Sequence, residues 1–378
     1  MIKTERLTEE FARLAAIASP SFREGEVSRY LMRRFRLLGA EVYMDVAGEK
    51  VGSESGNLIA SLAGCGKESE PLMLSAHMDT VEPAIGVKPV LQNGVFTSAG
   101  ETVLGADDKS GIAEIVEALE VIREQNIPHG PIEVIITICE EVGLLGAKFL
   151  DYARIKSRRG LALDTSEVDL VIRCAPSANK LRFEITGRES HAGIAPEKGV
   201  SAIEVAARAV SRMKLGRIDA ETTANIGTIH GGQATNIVPR TVVMEGEARS
   251  HNSGKLASQT EHMVACVTEA ARQLEREING QSVCADVFSE VTADYPLMAV
   301  PEEASIIRLV EQAAARLGRK VEVKAAGGGS DGNIFNSHGI ETVILGTGMS
   351  HIHTVEESVR VEDMVRVAQL LVEIIRLA

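Results

Sequence analysis

Apolar positions along this chain change texture twice, and each texture predicts a different kind of element. Residues 4–18 and 25–38 carry apolar side chains at helical spacing, with Leu31, Phe35 and Leu38 on one face of the second segment and Gly39 to end it. Residues 41–46 and 57–63 read as strands. Residues 71–76 and 132–139 are short, nearly continuous apolar runs, as expected of strands buried on both faces of a sheet. Between them lies a predicted helix, 110–125. Ile112, Ile115, Val116, Leu119 and Ile122 form its apolar stripe, and Glu114, Glu117, Glu120 and Glu124 its polar one. Residues 82–106, with two prolines and four glycines, read as a long loop of the kind that usually has a function. A short helix at 146–152 and a strand at 160–163 complete an alternation that argues for an α/β sheet.

The pattern then shifts to one-sided alternation. Residues 178–186, 222–230 and 235–249 read as antiparallel strands, and 200–213 and 255–277 as amphipathic helices. This predicts an inserted α+β domain at 177–287 within a mixed-sheet α/β domain made of 1–176 plus 288–378. The latter resumes with a helix at 302–317, a strand at 320–325, the glycine loop 327–332, a strand at 342–345 and a final helix at 361–377.

Composition narrows the class. A 378-residue chain with 44% hydrophobic residues fills more than one small core, and that core must be aliphatic, because aromatics are 3% and tryptophan is absent. A net charge of −13 without a basic block disfavours nucleic acid and anionic membranes as partners. The five cysteines are scattered and never form CxxC, which fits a reduced, cytoplasmic protein. The charged amphipathic N-terminus is no signal peptide, and no apolar run is long enough to span a membrane.

The chemistry centres on the stretch Leu104–Gly111, where Asp107 and Asp108 stand at a loop-to-helix junction. An aspartate there can simply cap the helix. A second reading gains from the rest of the chain: His77, Asp79, Glu140, Glu141 and Asp164 follow predicted strands, and His353 lies near the C-terminus. Ligands collect at the carboxyl ends of strands in open α/β sheets. Two metal ions ~3.5–4 Å apart need a bridging carboxylate. Asp107 is assigned that part, with His77 and Asp164 on one metal and Glu141 and His353 on the other. Glu140 is left to take a proton from water and hand it to a leaving amine. Asp79 suits an orienting role, accepting the other N–H of His77. Imidazole and carboxylate donors without thiolates point to zinc, with cobalt or manganese as alternatives. Cys139 reads as buried filling.

These residues resemble, in order and in context, the co-catalytic zinc aminopeptidase/carboxypeptidase family that includes peptidase T, carboxypeptidase G, aminoacylase, acetylornithine deacetylase and succinyl-diaminopimelate desuccinylase. The matching segments are 75–80, 105–111, 140–143, 163–164, 187–193, 328–332 and 352–357, and the peptidase T-like branch is the nearest. The resemblance implies a zinc-binding α/β domain with an inserted dimerisation or lid domain, and a homodimer. The same metal ligands are implied, with Glu140 as general base and Asp79 as orienting acid. His191 matches a histidine that reaches a partner's site to stabilise the oxyanion. Asn236, Arg249 and the glycine loop with Gly328 and Gly329 match substrate-holding positions. The implied activity is exopeptidase cleavage of small peptides; deacylation of N-acyl amino acids or carboxypeptidase action is the alternative. One departure bears on substrate: tripeptidases of the peptidase T type carry arginine where this chain has Gly327.

Overall fold

In the computed structural model, which describes all 378 residues, the two unbroken apolar runs lie side by side in a nine-stranded mixed sheet. Strand Leu72–His77 runs parallel to Ile132–Thr137 on one side and to Arg159–Thr165 on the other. Glu341–Gly346 extends the parallel set beyond Arg159–Thr165, while Leu58–Leu62, Glu41–Met44 and Met298–Ala299 join antiparallel. Every residue of Leu72–His77 and Ile132–Thr137 is buried, which is why their sequences do not alternate. This sheet and its helices form one compact unit, Met1–Ala175 with Met298–Ala378.

The second unit, Pro176–Leu297, has its own core and a five-stranded sheet. Ser177–Thr186, Thr222–Gly231, Thr241–Ser250 and Asp286–Tyr295 are antiparallel neighbours in it. Leu181, Phe183 and Ile185 point into the core with Val242 and Met244, where helices Ala202–Arg212 and Ser253–Gln273 contribute Val205, Ala209, Met263 and Val267.

Three sequence expectations need correction. The chain returns to the first unit at Met298, not at 288, because Asp286–Tyr295 pairs with Ser177–Thr186 as an edge strand of the second sheet. Its half-exposed residues alternate too weakly to be read. The 82–106 segment is not all loop: Pro89–Gln92 and Val95–Ser98 form a hairpin, and Val95–Ser98 pairs with Ser358–Arg360. Strand Leu170–Ala175 was not anticipated at all; it pairs with Glu341–Gly346, Met298–Ala299 and Glu322–Ala325. No helix is long and apolar enough to cross a membrane.

Helix Ala106–Glu124 is buried on nearly all sides, so of its polar stripe only Glu124 faces water, and Glu114, Glu117 and Glu120 do not. Glu117 accepts from Arg6 Nε at 2.6 Å and from the Lys3 amide at 2.8 Å. Glu120 accepts from Arg34 at 2.9 Å. Glu114 is 0% exposed, and neither carboxylate oxygen has a hydrogen-bond partner.

These two buried glutamates should answer mutation differently. Glu117→Leu takes the buried partner from Arg6, leaving it only the more exposed Glu124, and strands the Lys3 amide; it is expected to cost about 1–3 kcal/mol, read by urea unfolding. Glu114→Leu is expected to be neutral or stabilising. Burial and the nearby Asp108 hold the Glu114 carboxyl well above its ordinary value. Between the unfolded and folded values the native state therefore keeps a proton that the unfolded chain has lost, and stability falls as pH rises. Glu114→Gln should gain on the wild type as pH rises above the ordinary carboxylate range; parallel stability–pH curves would contradict this.

Candidate metal centre and active site

The three parallel strands deliver their polar groups at one edge of the sheet. His77 is the last residue of its strand and Asp79 follows two residues on; Glu140 and Glu141 come just after Ile132–Thr137; Asp164 closes Arg159–Thr165. Asp107 comes from the first turn of Ala106–Glu124, and His353 from the turn between Met349–Ser350 and Ser358–Arg360. Gly111 lets that helix approach the sheet: an added Cβ would stand 2.5 Å from Asp108 Oδ1 and 2.9 Å from Leu163 Cβ.

Asp107 sits between the two histidines. Its Oδ1 is 3.0 Å from His77 Nε2, and its Oδ2 is 3.3 Å from His353 Nε2. His77 Nε2 is also 3.9 Å from Asp164 Oδ1, and His353 Nε2 is 3.0 Å from Glu141 Oε1. One donor atom each from His77, Asp107 and Glu141 lies within 4.8 Å of the others, a spacing that can hold a metal ion. His77, Asp79, Asp107 and Glu140 are buried, whereas the His353 side chain is 49% exposed.

Electrostatics bind this group together. Burial, aided by the charge of Asp164, pushes Glu140 well above the usual carboxylate range. Burial, with Asp107 close by, does the same to Asp164. Burial also raises Glu141, against the pull of its bond to His353. Burial would raise Asp107 as well, but the hydrogen bonds from His353 and His77 outweigh it and hold that carboxyl far below its usual value. Burial would lower His77, but Asp107 and Asp79 keep it well above its ordinary value. Asp107 and Glu141 raise His353 to about 10. The positive groups facing these carboxylates are thus two protonated imidazoles, and a divalent cation could replace their charge.

The supporting residues differ from the sequence reading in two respects. Asp79 was expected to accept the second N–H of His77 through its carboxylate. Instead His77 Nδ1 lies 3.0 Å from the Asp79 backbone carbonyl and 3.5 Å from the carboxylate. The Asp79 carboxylate is occupied elsewhere: it accepts from the amides of Glu140 (2.9 Å) and Glu141 (3.3 Å) and from the Ser21 hydroxyl (2.7 Å). Neither Asp107 nor Asp108 caps the helix: the Asp107 carboxylate faces His77 and His353 rather than a helix amide. The Asp108 carboxylate accepts from the His77 amide at 3.3 Å. The cap comes from Glu357, which accepts from the amides of Gly105 (2.7 Å) and Asp107 (2.9 Å).

Two further carboxyls were missed. Glu24, fully buried, accepts from both the amide and the thiol of Cys139 at 3.1 Å, and from Ser53 Oγ at 2.5 Å. It steadies a left-handed Cys139 (φ 49°) just before the glutamate pair. Cys139 is buried as expected, and burial beside Glu24 pushes its thiol far up. Asp331 accepts from Thr137 Oγ1 at 2.5 Å, tying the glycine loop to the strand that leads to Glu140. Glu24 lies in an ordinary polar stretch and only its position in space marks it, whereas Asp331 lies within the glycine loop 327–332, where the glycines carried the reading.

Gly328 and Gly329 precede Ser330, which caps helix Asp331–Ser337 by accepting from the Gly332 amide at 3.1 Å, while its own amide donates to Asn333 Oδ1. Gly327 is exposed, and nothing lies within 4 Å of an added Cβ. His191, Asn236 and Arg249 belong to the second unit. The His191 and Asn236 loops are joined by an Ala192 amide to Asn236 carbonyl bond of 2.9 Å, and His191 Nδ1 accepts from the Gly193 amide at 3.2 Å. Arg249 donates to Glu247 at 2.8 Å, and its Nε is buried without a partner.

A family model described as peptidase family M20/M25/M40 matches residues 73–377. The uncharacterised protein YqjE of Bacillus subtilis is 44% identical over 376 residues, covering 99% of each chain. Peptidase T of Escherichia coli (strain SE11) is 29% identical over 288 residues, 76% of this chain and 69% of its own. Aminopeptidase PepT of Bacillus cereus ATCC 10987 has a TM-score of 0.90 at 41% identity, covering 100% of this chain and 99% of that one. A tripeptidase of Staphylococcus aureus has a TM-score of 0.94 at 39% identity, covering 100% and 98%. Sheet, donor cluster and relatives agree that the chain belongs to peptidase family M20/M25/M40, on its peptidase T-like side, as a hydrolase that cleaves peptide bonds in small peptides.

Proposed function

We propose that this protein is an aminopeptidase that uses two divalent cations, zinc in the first instance, held by His77, Asp107, Asp164, Glu141 and His353. The observation that carries this reading is the position of Asp107, with one oxygen toward His77 and the other toward His353. The donor set fits: it is imidazole and carboxylate, free of thiolates, and its carboxylates are buried against one another. When bound, such cations polarise a carbonyl and acidify a water. The protein's own groups do the rest. Glu140 has a raised proton affinity and is fixed through its amide by Asp79, so it takes the proton of the attacking water and passes it to the leaving amine. His191 donates to the developing oxyanion across a homodimer built on the second unit. Asn236, Arg249, Gly328 and Gly329 hold the substrate. The protein works in the cytoplasm.

Glu140→Ala is expected to keep two metal equivalents while losing about 10²–10⁴-fold in turnover. Near-normal turnover of the metal-loaded variant would remove Glu140 from this role. His191→Ala should lose about 10²–10³-fold and leave metal content unchanged, and an active monomer in sedimentation would defeat the shared-site reading. A panel of di- and tripeptides against acetyl and succinyl amino acids separates the aminopeptidase from the deacylase or carboxypeptidase alternative.

Metal binding should also be pH-linked. His353, raised to about 10 by Asp107 and Glu141, is protonated near neutrality and must release its proton to coordinate. Zinc affinity is therefore expected to fall as pH drops, with net proton release in calorimetry run in buffers of different ionisation enthalpy. Binding without proton release would contradict this charge assignment.

A further inference from the structure

We propose that Glu357 is a positioning residue for the metal centre, locking the Asp107 backbone to the turn that carries His353. This deepens the two-cation reading and rests on it. Helix Ala106–Glu124 begins after a left-handed Gly105 (φ 74°) that supplies no side-chain cap, and Asp107 and Asp108 depart from helical angles. The amides of its first turn need acceptors from elsewhere. Glu357, 1% exposed, supplies them from about 250 residues away: Oε2 takes the Gly105 amide at 2.7 Å and Oε1 the Asp107 amide at 2.9 Å. A carboxylate at a helix N-terminus is also favoured by the helix dipole.

The other end of the lock is the turn itself. The Glu357 amide donates to the Thr354 carbonyl at 3.2 Å, one residue from His353. Beyond it, Ser358–Arg360 pairs with Val95–Ser98, in the segment that leads into Gly105. Two separate connections, one a strand pair and one a buried carboxylate, thus join the His353 turn to the Asp107 loop. His353 needs such support, because it is half exposed and sits at a positive φ of 63°. The donors that depend on the lock are Asp107, which faces both histidines, and His353, which faces only one side of the centre, whereas Glu141 is held through its amide by Asp79. His77 and Asp164 are fixed by strands of the central sheet. Loss of Glu357 should therefore weaken one cation more than the other.

Glu357→Gln is the direct test, since it keeps the volume but turns an NH2 group toward one of two backbone donors. Zinc is titrated into the full-length protein against a chromophoric chelator, with cobalt absorption as a second readout. The wild type is expected to take two equivalents. In Glu357→Gln the tighter equivalent should be unchanged and the other about 10–100-fold weaker. Added zinc should restore kcat with KM for peptide unaltered. Glu357→Asp, whose shorter arm reaches only one amide, should show a smaller loss of the same equivalent and serves if the glutamine variant does not fold. Two wild-type affinities in a folded variant would overturn the proposal, and so would equal weakening of both equivalents. A wild type that takes fewer than two equivalents would instead overturn the two-cation reading beneath it.

Discussion

The structure depends on holding mutually repelling carboxylates together out of water. Two unit charges 4 Å apart interact by about 4 kcal/mol at the effective dielectric of a protein surface, and here Asp107, Glu140, Glu141 and Asp164 crowd together, with Asp107 and Glu140 fully covered. Desolvation adds to that repulsion. Two imidazoles on opposite sides of Asp107 offset part of it, and raised proton affinities offset more. Such a cluster is poor material for stability and good material for binding cations, because a dication relieves the repulsion that the fold enforces.

Enforcement falls to a second set of acids that do different work. Asp79 accepts the amides of Glu140 and Glu141, Glu24 the amide of Cys139, and Glu357 the amides of Gly105 and Asp107. Each donor loop thus has a buried carboxylate behind it. Backbone amides are fixed dipoles, and a carboxylate accepting two or three of them is held in one orientation at little cost in side-chain freedom. The same residue types therefore sort by what they face: convergent acids face one another and the two histidines, and amide-bound acids hold the chain.

This division explains what could be read from sequence. The donors His77, Glu140, Glu141 and Asp164 were legible because each ends an apolar run, and such runs announce buried strands whatever the tertiary context. The supports Glu24 and Glu357 were not, because each acts on an amide 115 to 252 residues away and has no local signature. The hairpin at Pro89–Gln92 and Val95–Ser98 was missed for a related reason: its strands are four residues long and half exposed, so neither period nor burial marks them. Strand Asp286–Tyr295 was not read as a strand, because an edge strand alternates weakly, and this moved the unit boundary. The capping reading of Asp107 and Asp108 failed because their carboxylates turn to His77 and His353, contacts that no local spacing encodes.

Cleavage and choice of substrate rest on different features. The donor cluster presents imidazole and carboxylate groups, which carry no information about what flanks a scissile amide. Selection needs groups that meet the ends of the peptide, and two positions are informative. At Gly327 the loop is open, with no atom within 4 Å of an added Cβ, so the chain has room for a side chain and carries none. Arg249 already donates to Glu247, so a substrate carboxylate would have to compete with Glu247 rather than meet a free guanidinium. Its buried Nε, without a partner, is the donor whose unmet bond a ligand could satisfy.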